Sequence, residues 1–260
     1  MDKVAIITGA SAGIGLATAK LFIKNGYKVY NLSRHSSTVG ESVCVDVSNR
    51  EKVFQAINEI FNKEGHIDVL MNSAGMGISG SVEDTSEDAA KKIFDINYFG
   101  TLYCIQATLP YMRKNGSGPI INLSSVGAPL SLPFQSFYSA TKSAVTSLTE
   151  ALRIEVKPFN IKVTEILPGD VKTEFTSRRE KNKSNSLVYG DRINRSVLKM
   201  EKDEQNGMSP DIIAKIALKL ANKKNPPIAV VGGFSYKAII VLIKFLPKRA
   251  ISYIIQKLYG

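Results

Sequence analysis

Short apolar runs alternate with longer amphipathic ones along most of the chain. The runs at 3–9 (KVAIITG), 27–33 (YKVYNLS), 42–47 (SVCVDV), 67–75 (IDVLMNSAG), 118–125 (GPIINLSS), 160–169 (NIKVTEILPG) and 226–233 (PPIAVVGG) place apolar residues side by side rather than at every second position. That is the pattern of strands covered on both faces. The segments between them have helical spacing. Residues 13–26 stop at Asn25-Gly26, a helix C-terminal signal. In 49–65, Val53, Ile57, Ile60 and Phe61 form one stripe. A long helix is predicted over about 88–114 and another over 138–157, with Pro158 as its stop. A third spans 209–222, where Ser209 is the N-cap and Pro210 the first helical residue. This alternation predicts one doubly wound α/β domain over residues 1–260. Its core, 3–233, is a parallel sheet of about seven strands with helices on both faces. Such a sheet binds ligands beyond the carboxyl ends of its strands, and every conspicuous motif here falls at such an end.

Two stretches break the rhythm. From about 171 to 208 the chain is polar and reads as irregular, with Leu187, Val188, Tyr189, Val197 and Leu198 as the apolar residues able to face a ligand. A loop of that length is usually functional or mobile. The C-terminal extension 234–260 carries five Lys or Arg and no acid. Within it Ile251, Ile254, Ile255 and Leu258 form a stripe, with Lys248, Arg249 and Lys257 elsewhere on the helix. Such a basic amphipathic helix packs on its own domain or on a second subunit, or lies on an anionic membrane. The sequence leaves both readings open.

Composition narrows the field without naming a function. A chain of 260 residues, 44% hydrophobic and 22% charged, is an ordinary soluble globular protein. A net charge of +11 is compatible with nucleic acid or an anionic membrane as partner. The basic residues are scattered, however, and no nucleic-acid-binding motif is present, so nucleic acid is not expected. Cys44 and Cys104 sit in separate apolar runs with no Cys or His at metal-ligand spacing. Neither a disulfide framework nor a metal site is expected, and a reducing cytoplasm is. The opening MDKVAIITGA holds no long apolar stretch of a signal peptide, and no run reaches the roughly 18 residues of a membrane span.

The chemistry concentrates in a few places. Between the first strand and first helix lies TGASAGIG (8–15). Gly9 permits a sharp turn, and Gly13 and Gly15 let backbone approach a phosphate at a helix N-terminus. Gly9, Ser11, Gly13, Ile14 and Gly15 are therefore candidate cofactor contacts. The second strand ends in Ser33-Arg34 with no acid. A carboxylate there would grip a ribose 2′-hydroxyl; a guanidinium instead pairs with a 2′-phosphate. Unless Arg34 is merely a solvated surface residue, it favours NADP(H). Tyr138 and Lys142 lie one helical turn apart, so an ammonium can lower the phenol pKa toward the range useful for proton transfer. Taken alone this spacing is common packing. Ser125, thirteen residues before Tyr138 at the end of the fifth strand, changes its weight, because a hydroxyl there can donate to a carbonyl oxygen as charge develops.

Together these residues resemble the short-chain dehydrogenase/reductase family, of the group with a TG-x-x-x-G-x-G turn and a Y-x-x-x-K pair. The resemblance covers roughly residues 3–233 and rests on TGASAGIG, Asp46-Val47, NSAG (72–75), Asn97, Ser125, Tyr138, Lys142 and PGDVKT (168–173) in order. It implies a Rossmann-like fold and an NADP(H)-dependent oxidoreductase that interconverts a carbonyl and an alcohol. Tyr138 would be the general acid in reduction and the base in oxidation. Lys142 would tune it and hold the nicotinamide ribose. Ser125 would polarise the carbonyl, and Asn97 would hold a water in a proton relay. Asp46 and Val47 would border the adenine. Asn72, Ala74 and Gly75 would line the adenosine side and brace strand four. Pro168, Gly169, Val171 and Thr173 would meet the nicotinamide end. The segment 171–208 would be a lid over a hydrophobic substrate, and a homodimer or homotetramer is implied. Ser73 stands where the family often has a second asparagine, which puts that bracing contact in doubt. A non-catalytic NADP-binding sensor or scaffold is the rival reading.

Overall fold

The computed structural model describes residues 2–182 and 187–260, with the side chain of Leu187 outside that set. The chain runs β1 Lys3–Thr8, α1 Gly13–Lys24, β2 Tyr27–Ser33, β3 Glu41–Cys44, α2 Arg50–Glu64, β4 Val69–Asn72 and β5 Ile78–Ser79. Next come α3 Glu87–Phe94, α4 Gly100–Asn115, β6 Gly118–Leu123, α5 Ser136–Glu155, β7 Ile161–Pro168 and β8 Glu180–Lys181. The chain closes with α6 Arg192–Gln205, α7 Pro210–Ala221, β9 Ala229–Gly232, α8 Phe234–Ile243 and α9 Lys248–Tyr259.

Seven strands form one parallel sheet in the order β3-β2-β1-β4-β6-β7-β9. Adjacent apolar residues in a strand feed opposite layers. On β1, Val4 and Ile6 pack with Val53 and Ile57 of α2, Cys104 and Ile105 of α4 and Leu152 of α5. Ala5 and Ile7 point the other way, toward Ala19 and Phe22 of α1 and Ile213 and Ala217 of α7. The strand order reverses between β1 and β4, which opens a crevice at their carboxyl ends.

Three segments depart from the sequence pattern. The helix expected over 88–114 is α3 and α4 joined by a π-helical segment, Asp95–Phe99, which holds Asn97. The third strand ends at Cys44; the Val45 amide still donates to the Ser33 carbonyl of β2 at 3.0 Å, and the chain then turns away at Asp46, whose Oδ1 accepts from the Ser48 amide at 3.0 Å and its hydroxyl at 2.7 Å. The segment 171–208, expected to be irregular, contains the 14-residue helix α6. Its sequence hides it: only Ser196, Val197 and Met200 are buried, and apart from Ile193 and Leu198 the rest is polar. A Lys199–Asp203 pair at 2.7 Å supports its exposed face. Short β5 and β8 pair with each other and tie this segment to the chain beyond β4. Residues 183–186 of the expected lid lie outside the described residues.

The extension is fastened at two tyrosines. The Tyr236 hydroxyl donates to the Asp170 carboxylate, and Tyr259 donates to Asp203 Oδ2 on α6 at 3.2 Å. No residue of α8 or α9 is fully buried.

Candidate active site

A cavity of about 330 Å³ opens at the crevice and runs from the glycine-rich turn to the far side of α5. That lies within the usual size of ligand sites.

Its first wall is the turn itself. Gly9 and Gly13 have φ of +68° and +52°, conformations that glycine adopts without strain. A Cβ at Gly9 would stand 2.9 Å from Ala74 Cα, and one at Gly15 would collide with the Gly9 carbonyl oxygen. The α1 helix then starts at Gly13 without a side-chain cap and without an acid in its first turn. Its first amides face outward unsatisfied, and the positive end of the helix dipole favours an anion there. Close backbone approach and free amides together fit the diphosphate of a dinucleotide. The turn is held against β4 by Thr8, whose Oγ1 accepts from the Ser73 and Ala74 amides at 3.0 and 2.9 Å. With Ser73 in place of asparagine, this threonine supplies the bracing.

Arg34 is exposed on the cavity wall beside His35, with Asp46 and Val47 on the same wall. Burial pushes the Asp46 carboxyl up, but the two Ser48 hydrogen bonds and the charge of Arg34 outweigh it and hold the group below its ordinary value. Ser11, Ile14, Ala74, Gly75, Pro168, Gly169, Val171 and Thr173 all line the cavity. Asn72 does not, which corrects the expectation that it lines the adenosine side. It is buried within the sheet, its Nδ2 donating to Asn122 Oδ1 at 2.9 Å, and Asn122 donates onward to Thr149 at 2.9 Å.

The catalytic candidates meet at the other end. Ser125 follows β6, its Oγ accepts from the Gly127 amide at 3.0 Å, and it lines the cavity beside Tyr138. Helix α5 begins at Ser136, so Tyr138 and Lys142 both project from its first turns onto the cavity wall. Lys142 Nζ donates to the Leu123 carbonyl at 2.8 Å and stands 5.8 Å from the centre of the Tyr138 ring. Burial pushes Tyr138 up to about 12, with the neighbouring Ser125 hydroxyl as the main opposing influence. This corrects the expectation of a lowered phenol pKa: the ammonium is engaged by Leu123, and burial dominates. Burial likewise lowers Lys142 to about 8, opposed by the charge of Glu165.

Asn97 is fully buried behind this wall. Its Oδ1 accepts from the Met76 amide at 2.8 Å, while Nδ2 donates to the Met76 carbonyl at 3.0 Å and to Thr141 Oγ1 at 3.1 Å. A Cβ on Gly75 would lie 3.2 Å from Asn97 Oδ1 and 3.6 Å from Lys142 Nζ, so the two polar groups flank Gly75. The π-helical segment gives Asn97 this inward aim.

The substrate side is built by residues the sequence did not single out. The Phe175 ring centre is 5.7 Å from that of Tyr138, and Leu132, Met200 and Tyr259 complete an apolar wall. Of the apolar residues expected there, Val197 is buried on the inner face of α6, Val188 and Leu198 are exposed, and Tyr189 packs edge-on against Phe134. A buried ion pair, Arg179 with Glu204, backs the same wall, and Thr176 donates to Glu204 Oε2 at 2.7 Å.

Residues 3–184 match the family model described as short chain dehydrogenase. A 3-ketodihydrosphingosine reductase of Bacteroides thetaiotaomicron is 38% identical over 264 residues, covering 99% of this chain and 98% of its own. Among solved structures, ElxO with NADP bound is 28% identical with a TM-score of 0.76, over 92% of this chain and 100% of its own. A 3-ketoacyl-(acyl-carrier-protein) reductase of Brucella melitensis complexed with NADH is 27% identical with a TM-score of 0.73, over 89% of this chain and 97% of its own. The matched span takes in the glycine turn, Ser125, Tyr138 and Lys142 in order, and the chain belongs to the short-chain dehydrogenase/reductase family.

Proposed function

We propose that this protein is an NADP(H)-dependent reductase that converts an apolar ketone or aldehyde to its alcohol. The observation that carries the reading is the meeting of Ser125, Tyr138 and Lys142 on one wall of the cavity, with Lys142 Nζ 5.8 Å from the centre of the Tyr138 ring. When bound, a nicotinamide dinucleotide supplies the hydride. The turn 9–15 and the open start of α1 hold its phosphates, and Pro168 to Thr173 hold its nicotinamide end. Arg34 supports NADP(H) over NAD(H), because a guanidinium at that rim can pair with a 2′-phosphate and no acid follows β2 to repel it.

The protein's own residues handle the proton. A phenol held at about 12 keeps its proton at neutral pH, which suits a donor to the alkoxide formed in reduction. The Ser125 hydroxyl donates to the carbonyl oxygen and fixes it within reach of Tyr138. A charged Lys142 stabilises the phenolate left behind. Asn97, Gly75 and Lys142 lie together on the inner side, where the proton is replaced. Phe175, Leu132 and Met200 exclude water and favour an apolar substrate, in line with the 3-ketodihydrosphingosine reductase among the relatives.

The test is NADPH oxidation against a panel of aliphatic and aromatic ketones. Tyr138→Phe is expected to lower kcat by about 100- to 10,000-fold, and Ser125→Ala by about 100- to 1,000-fold. Turnover that survives Tyr138→Phe would refute the assignment. A native chain that binds NADPH but reduces none of the panel would favour a sensor.

A further inference from the structure

We propose that α8 and α9 form a docking face for an anionic lipid bilayer. Ala238, Val241, Leu242 and Phe245 enter the acyl boundary, and Lys244, Lys248 and Arg249 meet the lipid phosphates. This goes beyond the reductase reading and does not depend on it.

Helix α8 is apolar on both sides. Tyr236, Ile240 and Ile243 form a half-buried stripe toward the body of the protein. On the other side Ala238, Val241, Leu242 and Phe245 recur at i, i+3, i+4 and i+7, and all four are exposed. Phe245 is 81% exposed, Val241 57% and Leu242 56%. A helix that is apolar all round belongs in a core or in lipid; this one has no fully buried residue. Helix α9 repeats the division. Ile251, Ile255 and Tyr259 are half-buried, while Tyr253, Ile254 and Leu258 face outward. The stripe expected from the sequence is therefore only half covered by the protein's own domain.

Charge decides the occupant. Residues 234–260 contain Lys237, Lys244, Lys248, Arg249 and Lys257 and no acid. A second copy packed on this face through the same segment would bring ten cations together with no anion from either segment to answer them, and like charges across an interface are costly. An anionic headgroup layer answers them directly, and basic helices with aromatic and aliphatic outer faces lie in that layer. The ten residues of α8 reach about 15 Å, roughly half the hydrocarbon thickness. No helix among the described residues is long and apolar enough to cross a membrane, so the face lies on the bilayer. The same segment reaches the cavity: Tyr259 lines it, and Tyr236 bonds Asp170, which also lines it.

The experiment is flotation of the full chain with vesicles of mixed phosphatidylcholine and phosphatidylglycerol, against phosphatidylcholine alone, at low and high salt. The native chain is expected to float with the anionic vesicles, less with neutral ones, and less at high salt. Val241→Glu/Phe245→Glu is expected to lower the bound fraction about tenfold or more. Lys244→Glu/Lys248→Glu is expected to abolish the preference for phosphatidylglycerol. NADPH turnover of a water-soluble ketone, measured without vesicles, should be unchanged in both variants. Equal flotation by native chain and Val241→Glu/Phe245→Glu overturns the proposal. So does absence of native binding, including the case where light scattering shows the native chain dimeric and that variant monomeric. A native chain that floats but reduces no ketone sinks the reductase reading alone.

Discussion

Glu165 and Lys142 are buried counter-charges, each opposing the cost of the other's burial. Burial lifts Glu165 to about 7 while the lysine draws it down; burial drops Lys142 to about 8 while the carboxylate holds it up. Glu165 is fixed on β7 by Thr146, which donates to its Oε2 at 2.8 Å, and Thr146 is hydrogen-bonded to Ser124 at 3.0 Å. Ser124 in turn donates to the Lys142 carbonyl at 3.1 Å. Reduction that needs the ammonium of Lys142 should fall as pH rises through about 8. Glu165→Gln removes the charge that supports the ammonium, so this alkaline limb of kcat/KM should move to lower pH. An unmoved limb would separate Glu165 from the catalytic lysine.

The same carboxyl has a consequence for stability. Its folded pKa, about 7, lies above its ordinary 4.5, so over that window the folded chain holds a proton that the unfolded chain has lost. Stability contributed in this way is present at low pH and is lost as pH rises through 7. Glu165→Gln removes the dependence. The variant's stability relative to the native chain should therefore increase between about pH 5 and pH 8, by on the order of 3 kcal/mol at most. Urea unfolding at the two pH values measures this, and a difference that is flat with pH would contradict it.

In the proposed function Arg34 carries the preference for NADP(H). Charge-assisted hydrogen bonds are worth roughly 1.5–3 kcal/mol, so Arg34→Asp should lower kcat/KM with NADPH about 10- to 100-fold. The same change should raise the relative use of NADH, since a carboxylate repels the 2′-phosphate and can accept from a 2′-hydroxyl. If Arg34 is only a solvated residue, the NADPH/NADH ratio will stay where it was.

What the sequence disclosed and withheld follows from the range of the interactions. The sheet was legible because Val4 and Ile6, and Ala5 and Ile7, serve two layers from one strand. The glycine turn was legible because a Cβ at Gly9 or Gly15 would strike backbone. Tyr138 and Lys142 were legible as a spacing, but their ionisation was not: it depends on burial, and for Lys142 on Glu165, twenty-three residues away on β7. Asn72 was expected both to line the adenosine side and to brace strand four; it does not line the cavity, and the partner that holds it within the sheet, Asn122, is fifty residues away. Phe175, Met200 and Tyr259 come from three separate stretches and meet only in the folded chain. Helix α6 escaped notice because Val197 and Met200 are the only apolar residues that it buries.

The Arg179 side chain, fully buried beside Glu204, sets the last expectation. Glu201 lies 3.9 Å from its Nη1, and neither Nε nor Nη1 has a hydrogen-bond partner among the described residues. The guanidinium is therefore compensated chiefly by one carboxylate. Removing one member of a buried pair costs about 3–5 kcal/mol, whereas replacing the pair by apolar groups is often neutral. Glu204→Gln should destabilise the chain by that amount in urea unfolding. Arg179→Met combined with Glu204→Gln should recover much of the loss, giving a coupling well beyond simple addition. The charge of Glu204 raises the Tyr138 phenol and that of Arg179 lowers it. The double variant should thus leave the phenol titration nearer its native position than Glu204→Gln does, and additive losses with no recovery would count against the pair.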